Sequence, residues 1–479
     1  MAAATTSQPD PRRWRALALL CTAMFMVILD SAIVVVALPS IDRDLSFSAG
    51  NLQWVLSAYL LSFGGLLLLG GRAADLLGRR RVFMVGTGLF ALASLGCGLS
   101  GSDAVLIAAR VVQGVAAAIM TPTALSIVMT TFEEGAERNK ALGIWAAIGG
   151  AGATAAWLVG GPITDGLGWE WIFFINVPVA LGVVALSPVL LRESRDLDRP
   201  REFDAAGAVT ITAALVALVY AVVEAPDAGW GDGQTLGLLG LSAALTAVFA
   251  AIEARSSAPL APLRVFRSPA LVGGNVVLLS LGMLAFGMPF MLTQYAQDVL
   301  HYSPLEFGLG SVVMPVTAAI GSTTGQAIAT KRGLRPIVAV SMVLTGVGCL
   351  LLTQVSVNGS YLGDIFFPLL IFGPGLGAGY VAGSIASLAG VAETEAGLAS
   401  GLNNASFQIG GAVGVAILST VAVSQTEGGD PLTAVTNGYQ SAFATAIAFA
   451  AFGLLVALPL LGRVRAPAPD PAPVSAPGR

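Results

Sequence analysis

An acidic residue in the middle of a long apolar run has the clearest chemical consequence in this sequence. Asp30 is the one charged residue between Ala16 and Leu38, and a carboxylate at the centre of a hydrocarbon layer costs about 2.5–3.5 kcal/mol on insertion scales. Such a group can exchange a proton or pair with a cation; the competing reading is a structural hydrogen bond, or a residue near the outer membrane boundary. Arg110 stands alone in the same way within Val105–Met120, with Gln113 one turn further on and on the same helix face. At about 1.5 Å of rise per residue, Asp30 and Arg110 lie about 12 Å and about 10 Å from the same end of their helices. This predicts direct contact, or contact through one water or polar side chain. The competing reading for Arg110 is that it only bonds backbone carbonyls of its neighbours. Other chemistry is scarce: a single histidine, His301, and three cysteines, Cys21, Cys97 and Cys349, without paired spacing. They suggest no metal site, disulfide framework or nucleophile–base pair, which argues against an enzyme.

The composition says what must surround these groups. The 479 residues are 55% hydrophobic and 11% charged, with a mean hydropathy of +0.81, against roughly 25% charged in soluble domains. A soluble single-core protein is excluded, and a net charge of -4 leaves no electrostatic footprint for nucleic acid. A helix needs about 20 apolar residues to cross a layer about 30 Å thick. Fourteen stretches qualify, near 16–38, 51–70, 82–100, 104–130, 141–163, 171–191, 205–224, 234–252, 270–296, 305–329, 336–355, 362–388, 397–423 and 439–461. The first continues to Pro39 without a cleavage site, so it is read as a retained helix and not a signal peptide.

Of the 24 Lys and Arg residues, all but Arg43 and Arg110 fall in alternate connections or at the two chain ends. This asymmetry predicts a plasma or inner membrane protein with both termini in the cytoplasm and an even number of spans. The segments 192–204 and 253–269 read as charged or proline-containing linkers, and the Pro/Ala-rich segment from Ala466 to Arg479 reads as a disordered tail. The chain therefore divides into an N-terminal six-helix bundle over 1–191, linkers plus inserted spans 7 and 8 over 192–269, a C-terminal six-helix bundle over 270–465, and a tail over 466–479. Weak internal symmetry supports the division. The basic run 71–81 after span 2 is echoed by Lys331-Arg332-Gly333-Leu334-Arg335 after span 10, and Gly160-Gly161 in span 5 by Gly410-Gly411 in span 13.

Four longer motifs carry a resemblance. Gly71-Arg72-Ala73-Ala74-Asp75-Leu76-Leu77-Gly78-Arg79-Arg80-Arg81 follows span 2, and Ile28 to Pro39 lies in span 1. Arg110-Val111-Val112-Gln113-Gly114 lies in span 4, and Trp169-Glu170-Trp171-Ile172-Phe173-Phe174-Ile175-Asn176-Val177-Pro178 opens span 6. By these the chain resembles the major facilitator superfamily, in particular its fourteen-helix drug:proton antiporter branch (the EmrB/QacA-like group), over about residues 12–465. The resemblance implies an all-α polytopic fold with 14 transmembrane helices and efflux of drugs by alternating access, driven by a proton gradient with no other cofactor. It implies a conformational latch built from Gly71, Arg72, Asp75, Gly78, Arg79 and Arg80 on the cytoplasmic side. Asp30 and Arg110 then become the proton-coupling pair.

Two positions depart from the branch. Ala156-Trp157-Leu158-Val159-Gly160-Gly161 replaces a Gly-Pro pair upstream of Gly-Gly in span 5, so the Trp157 indole either fills the lumen or obstructs close helix packing. Phe407-Gln408 stands where relatives often carry Arg-Gln, removing one intramembrane charge. Polar residues in apolar spans outline a substrate cavity: Gln53, Trp54 and Tyr59 in span 2, Gln113 in span 4, Asn275, Gln294 and Tyr295 in span 9, and Asn403, Asn404 and Gln408 in span 13. Each of these alone could be an interhelical hydrogen bond. Gly96-Cys97-Gly98-Leu99-Ser100-Gly101 fits a dinucleotide pattern by letter but ends a membrane helix, so it is rejected. The reading is a monomeric, proton-coupled multidrug exporter of lipophilic small molecules, cations included. The alternatives are a dedicated exporter of an endogenous antibiotic or siderophore, and a transport-inactive sensor or scaffold locked by Trp157.

Overall fold

The apolar runs fold into helices because the hydrocarbon layer leaves backbone amides no partner but their own chain. The computed structural model describes residues 11–47, 51–133, 135–195, 204–256, 259, 263–389, 391, 396–426 and 430–461. Fourteen helices within them are long and apolar enough to cross a bilayer: α1 (Arg13–Leu45), α2 (Trp54–Leu77), α3 (Arg79–Gly98), α4 (Asp103–Thr131), α5 (Ala136–Gly166), α6 (Trp171–Leu190), α7 (Ala205–Ala225), α8 (Gly233–Arg255), α9 (Pro269–Val299), α10 (Pro304–Arg332), α11 (Arg335–Leu352), α12 (Tyr361–Leu388), α13 (Gly397–Ser424) and α14 (Pro431–Leu460). The chain is a multi-pass membrane protein with an all-α fold. The tail 466–479, most of the 192–204 linker and part of the 253–269 linker lie outside the described residues.

Polar caps set where the helices begin. Ser102 accepts from the Val105 amide at the start of α4, and Asp204 from Gly207 at the start of α7. Ser303 and Glu306 form a reciprocal capping box at α10. The helix ends differ from the expected edges where apolar sequence was not the deciding factor. Pro39 does not end α1, which continues through it to Leu45. One turn of π-helix, Tyr295–Val299, extends α9, and another, Tyr361–Phe366, opens α12. Fourteen successive spans bring the start of α1 and the end of α14 to one side, called here the terminal face.

Helices α1–α6 pack mainly among themselves, as do α9–α14. Close approach depends on glycine. A side chain at Gly114 of α4 would strike the Tyr59 carbonyl and Ser62 hydroxyl of α2, and one at Gly282 of α9 would strike the Phe407 carbonyl of α13. The two sets meet along α2 with α13, α5 with α10 and α1 with α9. α7 lies against α2 and α13 together, with Tyr220 6.3 Å from the Trp54 ring and the Val222 carbonyl accepting from Thr420 at 3.0 Å. α8 rests on α7, where Ser242 donates to the Ala214 carbonyl at 2.8 Å. The second helix of the pair thus reaches the rest of the molecule mainly through the first.

Candidate functional site: a sealed charge pair among five helices

Five helices of the first set converge on Asp30. It sits midway along α1, Arg110 and Gln113 sit one turn apart on α4, Ser94 on α3, Val55 and Tyr59 on α2, and Asn176 on α6. Asn176 begins the long segment of α6, just after the short turn Trp171–Phe174. The Arg110 Nη1 meets Asp30 Oδ2 at 2.8 Å, and both side chains are 0% exposed. Asp30 Oδ1 accepts from Gln113 Nε2 at 2.8 Å and from Asn176 Nδ2 at 2.7 Å. Gln113 also donates to Ser94 Oγ at 2.8 Å and accepts from Arg110 Nη1 at 2.6 Å. Arg110 Nε donates to the Val55 carbonyl at 2.9 Å, and the guanidinium lies 4.2 Å from the centre of the Tyr59 ring.

Opposing effects act on the buried carboxylate. Loss of water disfavours charge on Asp30, whereas the adjacent guanidinium and three donated hydrogen bonds favour it. A proton arriving on Asp30 would neutralise one member of the pair and leave the Arg110 charge buried and uncompensated, which is strongly unfavourable unless the helices move. Three atoms around the pair, Arg110 Nη2, Tyr59 Oη and Asn176 Oδ1, are buried without a hydrogen-bond partner.

Asn176 and Ser94 were not singled out as site residues by sequence. Asn176 carries a signal, since it is an amide in an apolar span. Ser94 carries none, because a small residue in Ala93-Ser94-Leu95 reads as packing. Two residues expected to line a cavity, Tyr59 and Gln113, are instead closed into the charge network with 0% exposure. The physical reason is that Arg110 draws the ring face and the amide toward itself.

The 71–81 segment engages the end of α6. Asp75 pairs with Arg79 at 2.8 Å, one turn apart. The Arg79 and Arg80 amides donate to the Ser194 carbonyl at 3.0 Å and Glu193 Oε1 at 3.1 Å. Glu193 also lies 3.9 Å from Arg80 and 3.6 Å from Arg81. Gly78, with φ of +108°, ends α2 where a side chain would meet Glu193. Gly71 approaches Pro122 of α4, and Arg72 is partly buried near the end of α2. These contacts stay within the first set of helices.

Trp157 is 5% exposed and packs edge-on against Phe307 of α10, with ring centres 5.8 Å apart. Gly160 faces Ile33 of α1, and Gly161 faces the Pro304 carbonyl of α10. The indole thus fills the α5–α10 contact. The remaining polar residues scatter. Trp54 turns to Tyr220 on α7. Gln294 and Asn404 donate to carbonyls of their own helices, Phe290 at 3.3 Å and Ser400 at 3.1 Å. Tyr295 donates to the Ser356 carbonyl at 2.8 Å, far from the pair in sequence and on the opposite face. Asn275 accepts from Ser406 of α13 at 2.9 Å. Gln53, Asn403 and Gln408 are buried, with Gln408 against Gly64 at the α2–α13 contact.

Twelve of the fourteen apolar helices form two sets that pack against each other, α7 and α8 lie beside them, and an ion pair is sealed inside the first set: the architecture is that of a polytopic membrane protein. The family profile described as Major Facilitator Superfamily matches residues 20–325 and 271–478, and the chain belongs to that superfamily. Among similar proteins are the puromycin resistance protein pur8 of Streptomyces alboniger, 38% identical over 94% of this chain and 90% of that one. The cephamycin export protein CmcT of Amycolatopsis lactamdurans is 38% identical over 94% of each chain. The tetracenomycin C resistance and export protein of Streptomyces glaucescens is 35% identical over 86% of this chain and 77% of its own. Among solved structures, an inward-facing bacterial homologue of the human lysosomal transporter Spinster superposes with a TM-score of 0.69 at 17% identity, over 96% of this chain and 100% of that one. A peptide transporter bound to alafosfalin gives 0.68 at 16% identity, over 94% of this chain and 95% of that one. These structures share the fold.

Proposed function

We propose that the chain exports lipophilic small molecules, cationic ones included, in exchange for protons, and that Asp30 is the group whose protonation is coupled to transport. The observation that carries this reading is the Asp30–Arg110 pair at 2.8 Å with no exposed area: it makes proton binding and helix rearrangement mutually dependent. The printed roles of the relatives in drug resistance and antibiotic export support efflux as the direction. In this reading residues 1–191 and 270–465 are two bundles that rock about the α2–α13 and α5–α10 contacts, with α7 lying over one seam. Both termini face the cytoplasm, the protein acts as a monomer in the cell membrane, and the proton gradient is the energy source without a further cofactor. The 71–81 segment acts as a latch through Glu193.

A second reading is favoured by the same relatives: a dedicated exporter of one antibiotic, as the names of the cephamycin and tetracenomycin C proteins indicate for those chains. Proteoliposomes under an imposed pH gradient test both readings. Uptake or efflux of several unrelated lipophilic cations supports the broad exporter. Transport confined to one antibiotic scaffold supports the dedicated one. No gradient dependence with any compound contradicts both.

A further inference from the structure

Three aromatic rings of the second set of helices form a row. The Phe407 ring of α13 lies 5.2 Å from Tyr380 of α12 and 5.7 Å from Phe286 of α9, with interplanar angles of 83° and 61°. Edge-to-face contacts of this kind also fill ordinary cores, so exposure decides whether the row is packing or a surface. Tyr380 is 39% exposed, and Phe286 and Phe407 are partly exposed.

The packing of α12 fixes the direction in which Tyr380 opens. Gly377 lies against Ala318 of α10 and Gly383 against Val277 of α9, while Gly375 and Gly379 lie against Ser341 of α11. A helix turns about 100° per residue, which puts Tyr380 midway between Gly377 and Gly383 and away from the α11 contact. Its exposed area therefore points out between α9 and α10, where the Phe407 ring reaches it from α13. At the other end of the row, Phe286 and Leu60 of α2 both approach Gly411, so the row ends at the seam with the first set. Counted from the terminal face at about 1.5 Å per residue, Tyr380 lies about 12 Å deep, Phe407 about 15 Å and Phe286 about 26 Å, the last level with Asp30. One turn before Phe407, Asn404 adds a polar edge: its Nδ2 donates to the Ser400 carbonyl at 3.1 Å, and its Oδ1 accepts from no described residue.

We infer that this row stacks the planar, fused-ring aromatic part of the exported molecule, an inference that deepens the exporter reading above and rests on it. Within the row Tyr380 touches only Phe407, and edge-on, so at least one face of its ring is open. A flat ring system can stack offset on such a face, whereas a tetrahedral molecule of the same charge gains only apolar contact.

The test measures binding to the purified full chain in detergent of two monovalent lipophilic cations, ethidium, which is flat, and tetraphenylphosphonium, which is tetrahedral. Tyr380→Leu, which keeps apolar volume but removes the ring, should weaken ethidium about three- to tenfold and tetraphenylphosphonium less than about twofold. Phe407→Leu should show the same selective loss, and Tyr380→Phe should bind ethidium as the parent chain does. Thermal melting checks that each variant is folded. No ethidium binding by the parent chain, unchanged ethidium binding in Tyr380→Leu, or equal losses of both cations would overturn the site. Gradient-driven efflux of the same cations from proteoliposomes separates this inference from the reading it rests on. Ring-dependent binding without transport contradicts the exporter and leaves the stacking site standing. Transport with no dependence of ethidium affinity on the rings contradicts the site alone.

Discussion

The Arg110 guanidinium and the Asp30 carboxylate come from helices 80 residues apart in sequence and meet at 2.8 Å with neither side chain exposed. Removing one partner strands the other charge, at a cost of about 3–5 kcal/mol in proteins generally. Asp30→Ala and Arg110→Ala should each lower thermal stability in detergent. The double variant Asp30→Asn/Arg110→Gln should recover most of that stability and still fail to transport against a pH gradient. Recovery of transport in the double variant would show that the pair is only structural.

Asn176 should matter to transport more than to folding. Its amide is one of two donors on Asp30 Oδ1, at 2.7 Å, and a hydrogen bond to a charged group contributes about 1.5–3 kcal/mol. Asn176→Leu keeps the volume and removes the donor. Gradient-driven flux should fall about tenfold or more, with Asn176→Asp failing to restore it because a second carboxylate would face Asp30. Flux equal to that of the parent chain would remove Asn176 from the coupling network.

At Gly78 the backbone φ is +108°, and a side-chain carbon would lie 2.7 Å from Glu193 Oε1. Gly78→Ala should therefore strain the turn by about 1–3 kcal/mol and displace Glu193 from the Arg80 amide. Reduced flux with a small loss of melting temperature is the expected pattern. Glu193→Gln, which keeps one acceptor for the amide but removes the charge beside Arg80 and Arg81, should give a milder defect. If Gly78→Ala transports normally, the segment serves topology alone.

On the face opposite the termini, Gln297 Nε2 of α9 donates to the Val36 carbonyl of α1 at 2.8 Å, joining the two sets of helices. A single net hydrogen bond is worth about 0.5–1.5 kcal/mol. Gln297→Ala should raise the population in which α1 and α9 separate, read as a roughly two- to tenfold faster reaction of a water-soluble thiol reagent with a cysteine placed at Ser40. An unchanged rate would mean that other contacts hold this face closed.

The number of helices was legible because each span had to be long, apolar and almost free of charge, and the distribution of arginine demanded an even count. Their ends were less so. Pro39 reads as a stop, yet α1 continues to Leu45, because a proline removes one amide and a helix can carry that gap. Asp30 and Arg110 stood out because charge is rare in a span, and matched depth brought them together on paper. Ser94 could not be found, since nothing distinguishes a bonding serine from a packing one until α3 is placed beside α4. The polar residues of α2, α9 and α13 were visible as polar, but helix packing alone decides their direction: Trp54 faces α7, while Gln294 bonds its own helix.

The most direct test is efflux of a fluorescent lipophilic cation from proteoliposomes under an imposed pH gradient, comparing the chain with Asp30→Asn at equal reconstitution. The account predicts gradient-driven transport by the parent chain and its loss in the variant, with the variant still folded by thermal melting. Equal gradient-driven transport by both would contradict it, because the buried carboxylate would then be no part of the coupling.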